Sequence, residues 1–217
     1  AGPQYLERDE GLRVFSNIPG HTIREQRDDA LLRCLYNTGM RAQEAVDLNV
    51  THVRFQRPYH VRIQGKGRKE RTCPLWVDTV AALKSYLGKR GVRLDEPVPL
   101  FTGVRGDRLT RFGIRYIVAH RVSEAAKTCP SLLARRVTPH TLRHTTAMHL
   151  LQSRVDLSMI RSWLGHASIE TTSRYVEIDL EMKRKTLRAT EKLLPKSNNP
   201  RAAWTENKDL IAWLSSL

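Results

Sequence analysis

The chain has 217 residues, 40% of them hydrophobic, which suits one large domain with an appendage and argues against wholesale disorder. Its 37 Lys and Arg against 22 Asp and Glu give a formal charge of +15 and a pI near 10.3, a surplus that points to a polyanionic partner, nucleic acid first, rather than a merely solvated basic surface. Three scattered cysteines (Cys34, Cys73, Cys129) lack metal-ligand spacing, argue against a disulfide framework and fit a reducing, cytoplasmic setting; no apolar run reaches membrane-spanning length and no signal-peptide pattern opens the chain.

Residues 1–22 are polar and interrupted by Pro3, Pro19 and Gly20, so they read as a linker. Ala30, Leu31, Cys34 and Leu35 set an apolar stripe over a helix at 24–37, ended by Gly39, and a short helix follows at 42–48. Residues 59–64 alternate as a half-buried strand should, Gly65-Lys66-Gly67 turns the chain, and 71–75 returns as the partner strand of a hairpin with a basic tip. Asp78 is placed to cap a helix reaching Gly88 or Lys89, and Thr110 to cap another reaching about Lys127. Thr138-Pro139 joins an N-cap residue to the one helical position that tolerates proline, opening a helix to about Ser153. Asp156 caps the next helix, which stops at Gly165. Further helices are expected at 168–174 and 180–194, then a polar tether at 195–200 and an amphipathic helix at 204–217 carrying Trp204, Leu210, Ile211, Leu214 and Leu217. The fold class predicted is mainly α with a small antiparallel β-sheet.

Several residues have chemistry beyond packing. In His140-Thr141-Leu142-Arg143-His144, positions three and four apart share a helix face, so Arg143 projects near His140 at the positive end of a helix, where a phosphate is welcome. His140 and His144 also have the spacing of a zinc pair, but no Glu follows His140 and no third ligand is evident. Arg41 lies at a break between two helices, three residues before Glu44; the pair is either a surface ion pair or a carboxylate holding a guanidinium so that its fork meets two phosphate oxygens. Lys66 sits on the hairpin tip between two glycines, His166 follows a helix-ending Gly165, and Tyr175 taken alone reads as a packing residue.

The ordered set Thr-Gly-Met-Arg41-x-x-Glu44, Gly-Lys66-Gly, His140-x-x-Arg143-His144, Leu-Gly-His166 and Tyr175 resembles the tyrosine recombinase, or phage integrase, family over roughly residues 24–194. All six catalytic positions of that pattern are filled in order: Arg41, Lys66, His140, Arg143, His166 and Tyr175. The resemblance implies a site-specific DNA recombinase, with Tyr175 attacking a DNA phosphodiester to leave a 3′-phosphotyrosine and a free 5′-hydroxyl. Arg41 and Arg143 would clamp the phosphate, Lys66 would protonate the leaving oxygen, His140 would act as general acid and base, and His166 would hydrogen-bond the phosphate. Religation conserves bond energy, so neither ATP nor a metal is required. Two other functions fit the same fold: a DNA-binding regulator without chemistry, and a type IB topoisomerase-like enzyme.

The chain divides into a linker (1–22), a catalytic domain (23–194) and a tether with its terminal helix (195–217); that helix either folds back on its own domain or, as the resemblance implies, docks on a neighbouring protomer in a DNA-bound tetramer. The family usually has a helical DNA-clamping domain ahead of the catalytic one; none is read in these residues, and truncation of a longer protein is the expected reason. Arg68, Lys69, Arg71, Arg135 and Arg136 are expected to contact DNA, with Glu44 supporting Arg41 from behind. Arg154 stands at a helix end where the family often has Gly, and a left-handed backbone there would cost Arg about 1 kcal/mol.

Overall fold

A computed structural model describes residues 5–65, 67 and 69–165. Lys66, Arg68, His166 and Tyr175 lie outside the described residues, as do the helices expected at 168–174 and 180–194, the tether and the terminal helix. Seven α-helices and three strands are described: α1 (Arg8–Ser16), α2 (Ile23–Thr38), α3 (Ala42–Asp47), β1 (Val53–Arg54), β2 (His60–Gln64), β3 (Glu70–Pro74), α4 (Val77–Arg90), α5 (Arg111–Ala126), α6 (Pro139–Gln152) and α7 (Leu157–Leu164). The mainly helical class with a small antiparallel sheet is what the sequence predicts.

Local chemistry sets most boundaries. Thr22, Thr110, Thr138 and Asp156 each accept a backbone N–H of the helix they open, and Gly39, Gly91 and Gly165 end α2, α4 and α7 in the left-handed conformation. The sheet runs β1-β2-β3, every pairing antiparallel. Val61, Ile63 and Cys73 point into the core from β2 and β3, where they meet Leu31, Leu35, Met40 and Leu83 in one buried cluster. Buried deep between α2 and α5, Asp28 accepts from Arg27 Nε (2.9 Å) and Arg121 Nε (2.8 Å), so neither arginine is an unpaired buried charge.

Three details depart from the sequence reading. Residues 8–16 are helical rather than linker-like, because Leu6 and Val14 reach the core and the Leu6 N–H donates to Thr145 Oγ1 at 2.9 Å. The Leu6 carbonyl accepts from His149 Nε2 (3.0 Å) while His149 Nδ1 accepts a hydrogen bond from the Tyr36 hydroxyl (2.6 Å). Burial, then the charge of Arg8, hold His149 below the usual histidine range and keep it in that neutral tautomer, against an opposing pull from the Leu6 bond. The helix expected from Asp78 begins two residues earlier, with Trp76 as its N-cap, and a third strand, only two residues long, joins the hairpin.

Arg154 does adopt φ 61°, the only positive φ outside glycine among the described residues. Its N–H donates to the Leu151 carbonyl and that of Val155 to the Leu150 carbonyl, closing α6 in a left-handed cap. Arg154→Gly is expected to raise stability by about 1 kcal/mol in thermal unfolding; an unchanged or lowered Tm would show that the Arg154 side chain offsets its backbone strain.

Candidate phosphate-binding site

The break between α2 and α3 and the start of α6 converge on one open cleft of about 400 Å³, bordered by Arg41, Gln43, Arg111, Arg115, His140 and Arg143. Among the described residues no Asp or Glu lines it. Four guanidinium groups on one concave wall, beside the positive end of a capped 14-residue helix, make a seat for a phosphodiester.

Arg41 occupies the N-cap of α3 with its side chain about half exposed (46%). Glu44, buried beneath it, accepts from the Arg41 backbone N–H (2.8 Å) and from Nη1 (3.0 Å). Burial favours the neutral form of Glu44, but hydrogen bonds and charge from Arg71, then bonds from Arg41, outweigh it and hold the carboxyl below its ordinary range. Glu44 is thus an anion under the cleft, and it fixes which way Arg41 leans.

Arg143 is 2% exposed yet borders the same cleft. Nη1 donates to the Gly39 carbonyl (2.6 Å) and Nη2 to the Leu164 carbonyl (2.7 Å), so the ends of α2 and α7 both grip one guanidinium. Orphan carbonyls at helix C-termini suit a cation, and two of them lock the fork in one plane. His140, one turn before it, lies edge to face against His144 with centroids 4.2 Å apart. Partial desolvation, then the charges of Arg143 and Arg41, push the His140 imidazole below its usual 6.5. A neutral imidazole beside two arginines can accept a proton at neutral pH.

The other expected site residues fall into two groups. Lys69 and Arg136 are exposed, and the Lys69 carbonyl closes the hairpin turn by accepting the Gly65 N–H at 2.7 Å. Arg135 and Arg71 are turned inward. Arg135 donates to the Tyr5 carbonyl and pairs with Glu10, while Arg71, its side chain 10% exposed, donates to Glu44 Oε1 (3.1 Å), Glu44 Oε2 (2.7 Å) and the Trp163 carbonyl (3.0 Å). All three guanidinium nitrogens of Arg71 are engaged inside the domain, whereas Arg135 keeps about a third of its side chain exposed.

Arg111 and Arg115 are absent from the sequence reading. They stand four apart on α5, directly after the Thr110 cap, and that spacing alone puts them on one face. Exposed Phe112 (73%) and Tyr116 (71%) lie beside them, with Tyr116 stacked on His120 at an interplanar angle of 8°. A second cleft, of about 360 Å³ between α1, α2 and α6, is walled mostly by Leu12, Phe15, Tyr36 and Trp76 and does not share this chemistry.

Residues 4–182 match the model of the phage integrase family. The chain is 41% identical over 213 residues to a putative integrase/recombinase, y4rC, of Sinorhizobium fredii, covering 98% of this chain and 62% of that protein. It is 37% identical over 198 residues to the tyrosine recombinase XerC of Pelobacter propionicus, covering 91% and 62% respectively. Among solved structures, the XerH site-specific recombinase bound to palindromic difH substrate in a post-cleavage complex superposes with a TM-score of 0.73 at 27% identity, over 88% of this chain and 54% of that one. The XerA recombinase superposes with a TM-score of 0.72 at 28% identity, over 93% and 67%. The chain therefore spans about three fifths of the length of the curated relatives it matches.

Proposed function

The chain belongs to the phage integrase family, and on that premise we propose that it is a site-specific recombinase that breaks and rejoins DNA through a 3′-phosphotyrosine link. The observation that carries this reading is the cleft in which Arg41, Arg143 and His140 meet with no carboxylate in the lining among the described residues. Arg41 and Arg143 contact the non-bridging oxygens and stabilise the charge that builds as phosphorus becomes pentacoordinate. The Tyr175 oxygen attacks phosphorus, its proton passes to His140, the bond to the 5′-oxygen breaks, and Lys66 gives that oxygen a proton. His166 adds a hydrogen bond to the phosphate. Attack by a 5′-hydroxyl reverses every step, so the link can be resolved onto a different strand without ATP or a metal.

Covalent capture tests this. The 217-residue protein is incubated with a pool of nicked duplexes carrying a randomised central segment, and adducts resistant to detergent are recovered. Adducts from wild type, absent with Tyr175→Phe, are the expected result, and their sequences report the target site. Specific binding without any adduct would leave a regulator instead, and relaxation of supercoils without pairing of two duplexes would indicate topoisomerase-like action.

The pH dependence follows from His140. Its pKa is depressed, so the neutral base is the main form at pH 7 and is lost only as pH falls below 6.5. The acid limb of kcat/KM, which reports the free enzyme, is expected below pH 6.5 and is expected to flatten in His140→Gln. An acid limb centred above 6.5 that survives this substitution would remove His140 from the role of base.

Arg111 and Arg115 are proposed to neutralise backbone phosphates flanking the cleaved one, with exposed Lys69 and Arg136 as further contacts. The Arg111→Gln/Arg115→Gln double variant should weaken DNA binding and flatten the plot of log K against log salt by about 2. An unchanged slope would place both side chains off the DNA. Residues 204–217 are proposed to dock on a second copy and link protomers into a tetramer on DNA in the cytoplasm; their amphipathic pattern behind a polar tether supports this. Light scattering of the DNA complex with and without residues 200–217 should show loss of the assembly, and an unchanged mass would exclude that role.

A further inference from the structure

Arg71, its side chain 10% exposed, ties the cleft to the end of α7. It donates to both oxygens of Glu44, at 3.1 and 2.7 Å, and Glu44 in turn holds Arg41 through its backbone N–H and its Nη1. The Nε of the same guanidinium donates to the Trp163 carbonyl at 3.0 Å, at the C-terminal end of α7. Cys73 Sγ also approaches that carbonyl, at 3.4 Å, and Trp163 Nε1 donates to the Asn37 carbonyl at 3.1 Å. A Cβ on Gly165 would lie 3.1 Å from both Cδ and Nη1 of Arg71, so the helix-ending glycine and the guanidinium are packed face to face.

Resting on the recombinase reading, we infer that Arg71 is a positioning residue, joining the phosphate-binding Arg41 to the helix end from which the chain runs on to His166 and Tyr175. A planar fork is needed for this task. Its two terminal nitrogens span a carboxylate while Nε points elsewhere, which the single ammonium nitrogen of lysine cannot reproduce. Removing it frees Glu44 to tilt and takes a cation from the end of α7, so two parts of one active site lose their common reference. DNA affinity, carried by exposed arginines elsewhere in the cleft, is left nearly intact.

The test compares Arg71→Met, Arg71→Lys and Cys73→Ala with wild type in the full chain. Single-turnover adduct formation on the nicked-duplex pool, DNA affinity, Tm, and amide hydrogen exchange of peptides covering 39–46 and 160–165 are measured for each. Arg71→Met is expected to form adduct about 30- to 100-fold more slowly, with DNA affinity within about threefold and faster exchange in both peptides; Arg71→Lys should fall between it and wild type. Cys73→Ala, which removes a buried neighbour of the same carbonyl, controls for packing: it should lower Tm without slowing cleavage. Arg71→Met cleaving at the wild-type rate, or a slowing that Cys73→Ala reproduces at equal loss of Tm, would overturn the inference. If wild type itself forms no adduct, the recombinase reading fails, and the exchange data judge the network on their own: unchanged exchange in either peptide overturns it.

Discussion

Arg143→Lys should fold and bind DNA but form the covalent adduct about 10²- to 10³-fold more slowly than wild type, as measured in single turnover on captured duplex. The two terminal nitrogens of Arg143 hold carbonyls from different helices, Gly39 and Leu164, and so present the guanidinium to the cleft in a fixed plane. A lysine ammonium keeps the charge but reaches one carbonyl at a time, so the loss should appear in the rate of the chemical step rather than in affinity. Arg143→Ala should behave differently, because it leaves two buried acceptors unsatisfied at about 1–3 kcal/mol each and lowers Tm as well as activity. Equal cleavage by wild type and Arg143→Lys would mean that the fork plays no part in stabilising the transition state.

Gly39→Ala should be among the most destabilising single-methyl changes in the chain. Gly39 has φ 59°, and an added Cβ would sit 2.3 Å from Leu164 Cδ2, a side chain with no exposed surface and little room to turn. Left-handed strain and overpacking together predict a loss of about 2–4 kcal/mol, or about 5–15 °C in Tm for a domain of this size. The Gly39 carbonyl also anchors Arg143, so cleavage should slow in the folded fraction. Gly106→Ala isolates the backbone share: its φ is 87° with nothing within 4 Å of the added carbon, and it should cost only about 1 kcal/mol. Matching losses at the two glycines would show that Leu164 gives way and the contact is soft.

What could be seen in the sequence was whatever is written locally. Thr22, Thr110, Thr138 and Asp156 act within three residues of themselves, so their helices are legible without the fold. Helix α1 is not, since its polar sequence is held by long-range contacts: Glu10 accepts from Ser131 and pairs with Arg135, and Val14 is buried in the core. The spacing of Arg41, Glu44, His140 and Arg143 carried the cleft, because each pair lies within a helical turn and the family pattern linked the pairs. Arg111 and Arg115 were missed because an arginine pair on a helix looks the same facing solvent or facing a site; only the seating of α5 distinguishes them.

Arg71 shows what charge alone does not tell. It lies in a run of basic residues, yet strand parity sets it apart from them. It pairs with buried Ile63 across the hairpin and is two residues from buried Cys73, so it shares their inward face, while Thr72 and Pro74 face out. Composition counts a charge; alternation says where it points.

The central claim, that this cleft serves phosphoryl transfer to Tyr175, is tested most directly by locating the covalent bond. Adduct captured with wild-type protein is digested with protease and nuclease, and the peptide carrying the residual nucleotide is sequenced by mass spectrometry. The account predicts a 3′-nucleotide on Tyr175 and on no other residue. A nucleotide on a different side chain, or one joined through its 5′-phosphate, would contradict it.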